Sequence, residues 1–248
     1  MDTPLLKYVL GLADDNMVLS QRLTEWCSNG PTLEEDIALT NVALDILGRA
    51  RMFYQYASVL DEQKRSEDDF AMCRSEREYT NLLIHELPIG DFAFTMARQW
   101  FLDEFSQLYF SALSHSKDET LAGIAAKCIK ESGYHLVRSR NWICVLAEGT
   151  EESRRRLLAA IDELWGYRHE LFETTQAESL LSGVAVNRAD LKDTWMTNIN
   201  DLSARLNIEL PDKDWFVTGG RRGEHSEHLG PMLAEMQYLA RCFPGAKW

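Results

Sequence analysis

The chain has 248 residues, 45% of them hydrophobic, and a formal net charge of −13 at pH 7. A chain of this length and apolar content can bury a large core without disulfides or metal ions to stabilise it. The negative charge argues against nucleic acid as a partner, because binding to a polyanion requires a surplus of lysine and arginine.

The cysteine pattern and the N-terminus point to a cytoplasmic protein. The five cysteines are far apart and form no C-x-x-C pair, so we interpret them as free thiols of a reducing compartment. The N-terminus has no basic start or A-x-A cleavage site, and no apolar run approaches the roughly 20 residues that cross a bilayer. We therefore expect no membrane association.

Proline positions and capping residues predict a helical chain. All six prolines lie at or before Pro88 or from Pro211 onward, and a long proline-free interior with helical periodicity predicts long helices. The predicted caps are Thr32, in a TLEE capping box, Thr150 and Asn187. The predicted helices span approximately residues 4–27, 32–60, 70–84, 90–114, 119–147, 151–174, 188–207 and 224–242, with a loop at 210–223.

The order of these helices predicts the fold class. Two long helices, a long connection and two more long helices are the connectivity of a ferritin-like four-helix bundle. We therefore predict an all-α fold in which residues 1–248 form a single ferritin-like domain with a long crossover and additional C-terminal helices.

The fourth long predicted helix contains CIKESGYHLVRS, which resembles half of a di-iron site. Such a site takes a glutamate from each of two helices and Glu-x-x-His from each of the other two. Here the residue three before His135 is Ser132, whereas Glu131 lies at the opposite edge of the predicted inward stripe. The motif therefore lacks its carboxylate. The predicted stripe consists of Ile124, Cys128, Ser132, His135, Ser139 and Ile143.

The other three long helices also offer poor ligands. The second helix is apolar nearly all round, which predicts burial on most faces, and its polar or small row is Asn41, Asp45 and Gly48. The third helix offers Asp103, and the first offers Gln21. We interpret the six candidate positions as a vestigial metal-site cluster: Gln21, Asp45, Gly48, Asp103, Ser132 and His135.

The residues alone leave alternatives open, namely a working metal site or an unrelated arrangement. If Asp45, Asp103 and His135 face the core, hydrogen bonds or an inserted cation must satisfy them. The candidate cations are Arg49 and Arg98.

Two motifs near the C-terminus have alternative interpretations. His225 and His228, flanked by Glu224 and Glu227, are either metal ligands or residues of a surface contact. The sequence TGGRRG, 218–223, either holds a phosphate of coenzyme A through backbone amides and Arg221 or Arg222, or forms an ordered turn or a contact between subunits.

Four stretches resemble one protein family along essentially the whole chain. They are ADDNMVLSQRLTEWC, LDILGRARMFYQYA, KESGYH and GEHSEHLGPMLAEMQYL, and they are similar to the PaaC family of bacterial phenylacetyl-CoA epoxygenase (1,2-epoxidase) subunits. In the related PaaA family, which binds the di-iron centre and phenylacetyl-CoA, the motif is K-E-E-x-x-H. Here it is KESGYH, with Ser132 at the second carboxylate position.

The resemblance implies a structural subunit of an oxygenase in aerobic phenylacetate degradation, without catalytic, cofactor-binding or metal-binding residues of its own. The implied partners are a di-iron PaaA-like catalytic subunit, in a heterotetramer, and the other epoxidase components including the reductase. The alternative from another class is a di-iron oxidase or oxygenase that binds metal through Asp45, Asp103, Glu131 and His135.

Overall fold

The protein is all-α in the computed structural model, which describes residues 2–213 and 215–246. Helix accounts for 72% of the structure, and the described residues contain no β-strand, so the predicted fold class is confirmed. The described α-helices are α1 (Pro4–Thr24), α2 (Leu33–Leu60), α3 (Glu67–Met72), α4 (Leu83–Glu86), α5 (Phe92–Leu113), α6 (Glu119–Glu148), α7 (Glu151–Leu164), α8 (Gln176–Ser179), α9 (Lys192–Arg205) and α10 (Leu229–Cys242).

The helices belong to two compact units. The first unit contains the described residues up to Pro88 and those from Gly219 onward, and the second contains the described part of Ile89–Thr218. The long helices come as two hairpins, α1–α2 and α5–α6, in an order consistent with a ferritin-like bundle. The prediction of a single domain is not tested by this division and stays a prediction. None of the described helices is both long enough and apolar enough to cross a membrane.

In the first unit, α1 packs along α2. The Thr3 and Thr32 side chains cap the two helices, and the Thr32 hydroxyl accepts a hydrogen bond from the Glu35 amide at 3.4 Å. The predicted start of the second helix is therefore confirmed. An amphipathic helix needs only one apolar face, but α1 is buried along most of its length, including Asp14 and Asp15. Those two carboxylates need partners from elsewhere in the unit.

The predicted helix over residues 70–84 is wrong. The structure has α3, a 3₁₀ turn at Glu76–Glu78 and α4 instead, separated by extended residues from Tyr79 to Leu82. The break has a physical reason. The backbone amides of Thr80 and Leu82 donate to the carboxylates of Asp14 and Asp15, at 2.9 and 2.8 Å, and cannot also serve a helix.

The last helix begins later than the predicted residue 224. Residues 224–228 are non-helical, and α10 starts at Leu229, because the Ser226 amide donates to the Glu86 carboxylate at 2.6 Å. From there α10 buries its apolar face in one cluster of the first unit. The cluster consists of Val18, Tyr79, Leu229, Met232 and Leu233, with Met236 packed against it.

In the second unit, α5 and α6 begin after the capping aspartates Asp91 and Asp118, within two residues of the predicted starts. Thr150 caps α7 as predicted. The helix predicted over residues 151–174 is α-helical only to Leu164 and continues as a 3₁₀ helix, Trp165–Phe172. This unit is built around aromatic residues that meet at Phe101, with ring centroids 5.9 Å from Trp165 and 5.5 Å from Trp195.

The helix predicted over residues 188–207 is a 3₁₀ turn, Arg188–Leu191, followed by α9. The predicted cap Asn187 is wrong, since its side chain makes no capping hydrogen bond and instead accepts one from the Thr174 hydroxyl at 3.5 Å. The helix is anchored by Trp195, whose Nε1 donates to the Phe101 carbonyl oxygen at 3.0 Å.

The prediction that the second helix is buried on most faces is also wrong. Leu39, Val42, Ile46 and Ala50 form its buried row, and the opposite side is open. Four apolar residues on α2 are largely exposed: Leu33 (72%), Ile37 (52%), Leu44 (57%) and Val59 (80%). Hydrophobicity alone did not reveal the face, because apolar side chains lie on both sides of the helix.

This assignment of faces makes a matched pair of substitutions informative. Leu39→Ala, at a side chain with no exposure, should lower the free energy of unfolding by about 2 to 5 kcal/mol, because it removes buried methyl groups and leaves a cavity. Leu44→Ala, five residues along the same helix, should change it by no more than about 0.5 kcal/mol. Urea denaturation of the isolated protein measures both, and equal losses would contradict the assignment.

Candidate functional site

Three of the six positions of the predicted vestigial cluster lie in the first unit. Gln21 on α1 and Asp45 on α2 are half-buried, and Gly48 is exposed. A Cβ added at Gly48 would meet no atom within 4 Å, so this part of α2 borders open space. Glycine offers no side chain that could take the place of the histidine ligand.

The other three positions lie on the packed helices α5 and α6 of the second unit. Asp103 is 5% exposed, Ser132 is fully buried and His135 is 2% exposed. The predicted inward stripe of α6 is confirmed, because all six of its members are buried, whereas Glu131 is half-buried and off the stripe. Arg49 and Arg98, the candidate internal cations, are both buried in their own units.

The donor chemistry of these positions does not fit a pair of iron ions. Gly48 contributes no side chain, and Gln21 and Ser132 are neutral where carboxylates are needed. Within residues 2–213 and 215–246, no group of three or more His, Cys, Asp or Glu could hold a metal ion. The grouping of the six positions as one vestigial cluster stays a prediction.

A polar network that sequence reasoning missed surrounds Asp14 in the first unit. The carboxylate accepts a hydrogen bond from the Tyr54 hydroxyl at 2.7 Å and pairs with the guanidinium of Arg74, a residue of the crossover, which donates from Nη1 at 3.1 Å and also from Nη2. Both members of the pair are buried. Burial, followed by the negative charge of Asp14, raises the pKa of Tyr54 and also raises the pKa of Tyr79, to about 12. Both tyrosines therefore stay neutral.

The neighbouring Asp15 holds the TGGRRG turn. Arg221 donates to its carboxylate at 2.5 and 3.1 Å, and to the carbonyl oxygens of Gly11 and Thr80 at 2.9 and 2.5 Å. The backbone turns through Gly219 and Gly223, whose φ angles are +148° and +72°. Of the alternatives for this motif, the structure supports the ordered turn, since Arg221 is committed to an internal carboxylate and is not available to a phosphate.

His225 lies in a third buried contact, so the metal-ligand interpretation of His225 and His228 does not fit. Its Nδ1 is 2.9 Å from Glu86 Oε2, its Nε2 is 2.9 Å from the Tyr79 carbonyl oxygen, and the side chains of His225 and Glu86 are both fully buried. Both ring nitrogens are thus occupied. His228 precedes α10, and its carbonyl oxygen accepts from Arg22 Nη2 at 2.9 Å.

The second unit has one comparable buried carboxylate, Glu104, next to the predicted Asp103. It is fully buried and accepts hydrogen bonds from Arg140 at 2.5 and 2.8 Å, Trp100 Nε1 at 3.2 Å and Asn198 Nδ2 at 3.2 Å. These bonds join α5, α6 and α9. Four donated hydrogen bonds leave this carboxylate no capacity to act as a base or ligand.

One sequence signal could have found these groups. Asp14, Asp15 and Glu104 interrupt helical stretches that are otherwise strongly apolar, YVLGLADDNMVL and QWFLDEF, where an ionised side chain needs an internal partner. The identity of each partner was not readable, because many arginines lie at unrelated positions along the chain.

An all-α chain with two long helical hairpins and buried carboxylates that are neutralised internally belongs to a class of helical proteins without a catalytic centre of their own in the described residues. The chain is a member of the PaaA_PaaC family, described as phenylacetic acid catabolic protein, which it matches over residues 1–248. It is similar to the protein designated C among the subunits of the 1,2-phenylacetyl-CoA epoxidase of Escherichia coli (strain K12), with 45% identity over 246 residues, covering 98% of this chain and 99% of that protein. The resemblance inferred from the four sequence stretches is confirmed.

The Asp14–Arg74 pair gives a direct test of the first unit. Asp14→Asn should lower the free energy of unfolding by about 3 to 5 kcal/mol, because it leaves the Arg74 guanidinium buried without its counter-ion. Asp201→Asn, at an exposed position of α9, is the control and should leave the denaturation midpoint unchanged. Equal midpoints for the two variants in urea denaturation would show that the pair is not buried in solution.

Proposed function

We propose that this chain is the non-catalytic, structural subunit of a phenylacetyl-CoA 1,2-epoxidase in aerobic phenylacetate degradation. It packs against a di-iron catalytic subunit of the PaaA kind, stabilises it and helps to place it for an electron-donating reductase. The observation that carries the proposal is the match over 98% of the chain to a relative that is named as one of the subunits of that enzyme. We place the complex in the cytoplasm.

The chemistry of the buried carboxylates supports a structural role. Asp14, Glu86 and Glu104 are each satisfied by an arginine, a histidine, an amide or a hydroxyl of this chain, as is Asp15 by Arg221 and Leu82. A catalytic oxygenase needs carboxylates that are free to bind metal. In our proposal the iron therefore belongs to the partner protein, and this chain holds no cofactor.

The exposed apolar side chains support assembly with a partner. The outer face of α2 and, in the other unit, the outer face of α6 with Tyr134 (64%), Val137 (61%) and Val145 (55%) leave large hydrophobic groups in water. Apolar groups that recur along a helix face are typical of surfaces that another protein covers. A permanent interface of this type buries about 2,000 Å² or more, which suits a heterotetramer of two chains of each kind.

Iron content separates the proposal from its alternative. The chain, purified alone and treated anaerobically with ferrous iron, should retain only a trace after desalting, because its candidate ligand positions lack carboxylates and a histidine. The catalytic subunit loaded in parallel is the control. Retention of about two iron ions per chain would favour the alternative, an oxygenase with its own centre at Asp45, Asp103, Glu131 and His135.

Assembly is the second prediction of the proposal. Mixing this chain with the PaaA-like subunit at micromolar concentration should give one larger species in size-exclusion chromatography with light scattering, with the mass of two chains of each kind. Consumption of phenylacetyl-CoA should require the catalytic subunit in addition to reductase. Two unshifted peaks, or turnover by this chain with reductase alone, would refute the structural role.

A further inference from the structure

The segment from Gly219 to residue 246 returns to the first unit after the whole of the second unit, and polar contacts hold its start. Arg221 binds Asp15, His225 binds Glu86, and Arg22 donates to the His228 carbonyl oxygen. The apolar face of α10 follows these contacts and covers Val18 and Tyr79. The docking of α10 therefore depends on the buried polar contacts directly before it.

His225 differs from the arginines of these contacts because it can lose its proton near neutral pH. A backbone carbonyl oxygen only accepts hydrogen bonds, so Nε2, 2.9 Å from the Tyr79 oxygen, must carry a proton. The Glu86 carboxylate already accepts from the Ser226 amide at 2.6 Å and from Asn81 Nδ2 at 3.1 Å, so it is an acceptor for Nδ1 as well. The arrangement therefore fits the doubly protonated imidazolium, and neutral His225 would turn a lone pair towards one of its two acceptors.

The surrounding charges favour the same state. Burial by itself lowers the pKa of His225, but the hydrogen bonds to Glu86 and to the Tyr79 carbonyl oxygen and the negative charges of Glu86 and Glu76 outweigh it, so the pKa lies above its ordinary value. The Glu76 carboxylate lies at the first turn of α10, where a Cβ on Gly230 would meet its Oε2 at 2.6 Å. The other ionisable groups on the elements around His225 are Asp15 and Arg22 on α1, Arg77, Glu78 and His85 in the crossover, and Arg221, Arg222, Glu224, Glu227 and His228 on its own segment.

We propose that residues 219–246 form a strap that a proton on His225 latches to the rest of the first unit, so that the strap opens when this proton is lost. A group that binds its proton more tightly in the docked state stabilises docking fully below its undocked pKa and loses that contribution as pH rises through the docked pKa. For His225 the window begins near its ordinary value of about 6.5 and extends upward. Within it, the equilibrium constant for opening rises by at most about tenfold per pH unit.

The test is amide hydrogen exchange of the full chain, followed by mass spectrometry between pH 6 and 9 and corrected for the intrinsic pH dependence of exchange. In the unaltered protein, peptides from α10 should lose protection progressively above pH 6.5, whereas peptides from α6 should keep theirs. His225→Gln should remove the pH dependence of α10, because glutamine has no proton to lose in this range. His228→Gln is the matched control three residues away and should retain it.

Three results would overturn the latch. They are pH-independent protection of α10 in the unaltered protein, the same pH dependence in His225→Gln, or loss of protection in α6 together with α10. If His225→Gln does not fold, an NMR titration of His225 in the unaltered protein decides the question. A midpoint above 6.5 that coincides with the opening of α10 supports the latch, and a midpoint at or below 6.5 refutes it.

Discussion

The first unit depends on one constraint, the burial of two consecutive carboxylates in the middle of α1. Successive residues of an α-helix point about 100° apart, so Asp14 and Asp15 cannot share one partner. Asp14 recruits Arg74, Tyr54 and Thr80, and Asp15 recruits Arg221 and Leu82. One pair of side chains thereby fixes the positions of both the crossover and the C-terminal segment against the same helix.

The contribution of these pairs is to select one arrangement more than to add stability. Bringing both charges out of water costs nearly as much as their attraction returns, so a correctly formed buried pair adds little net free energy. A misplaced crossover, however, would leave a buried carboxylate without a cation, at a cost of about 3 to 5 kcal/mol. The second unit applies the same constraint through Glu104, whose partners come from α6 and α9 as well as its own helix.

The long helices were predictable because their signals are local. Proline positions, Thr32, Thr150 and the 3.6-residue spacing of apolar residues placed most ends of the long α-helices within a few residues, and the i, i+3 spacing exposed the missing carboxylate at Ser132. The crossover and the start of α10 were not predictable, because residues far along the chain determine them. Thr80 and Leu82 stay extended to serve Asp14 and Asp15, and Ser226 stays outside the helix to serve Glu86.

The discontinuity of the first unit has a consequence for protein synthesis. Residues up to Pro88 leave the ribosome first, but the Arg221 and His225 that satisfy Asp15 and Glu86 are made only after the entire second unit. The second unit is continuous in sequence and can fold as soon as it emerges, because domains fold as units during translation. The first hairpin must wait, with its apolar cluster around Val18 and Tyr79 still uncovered, and during this interval the nascent chain is most in need of a chaperone.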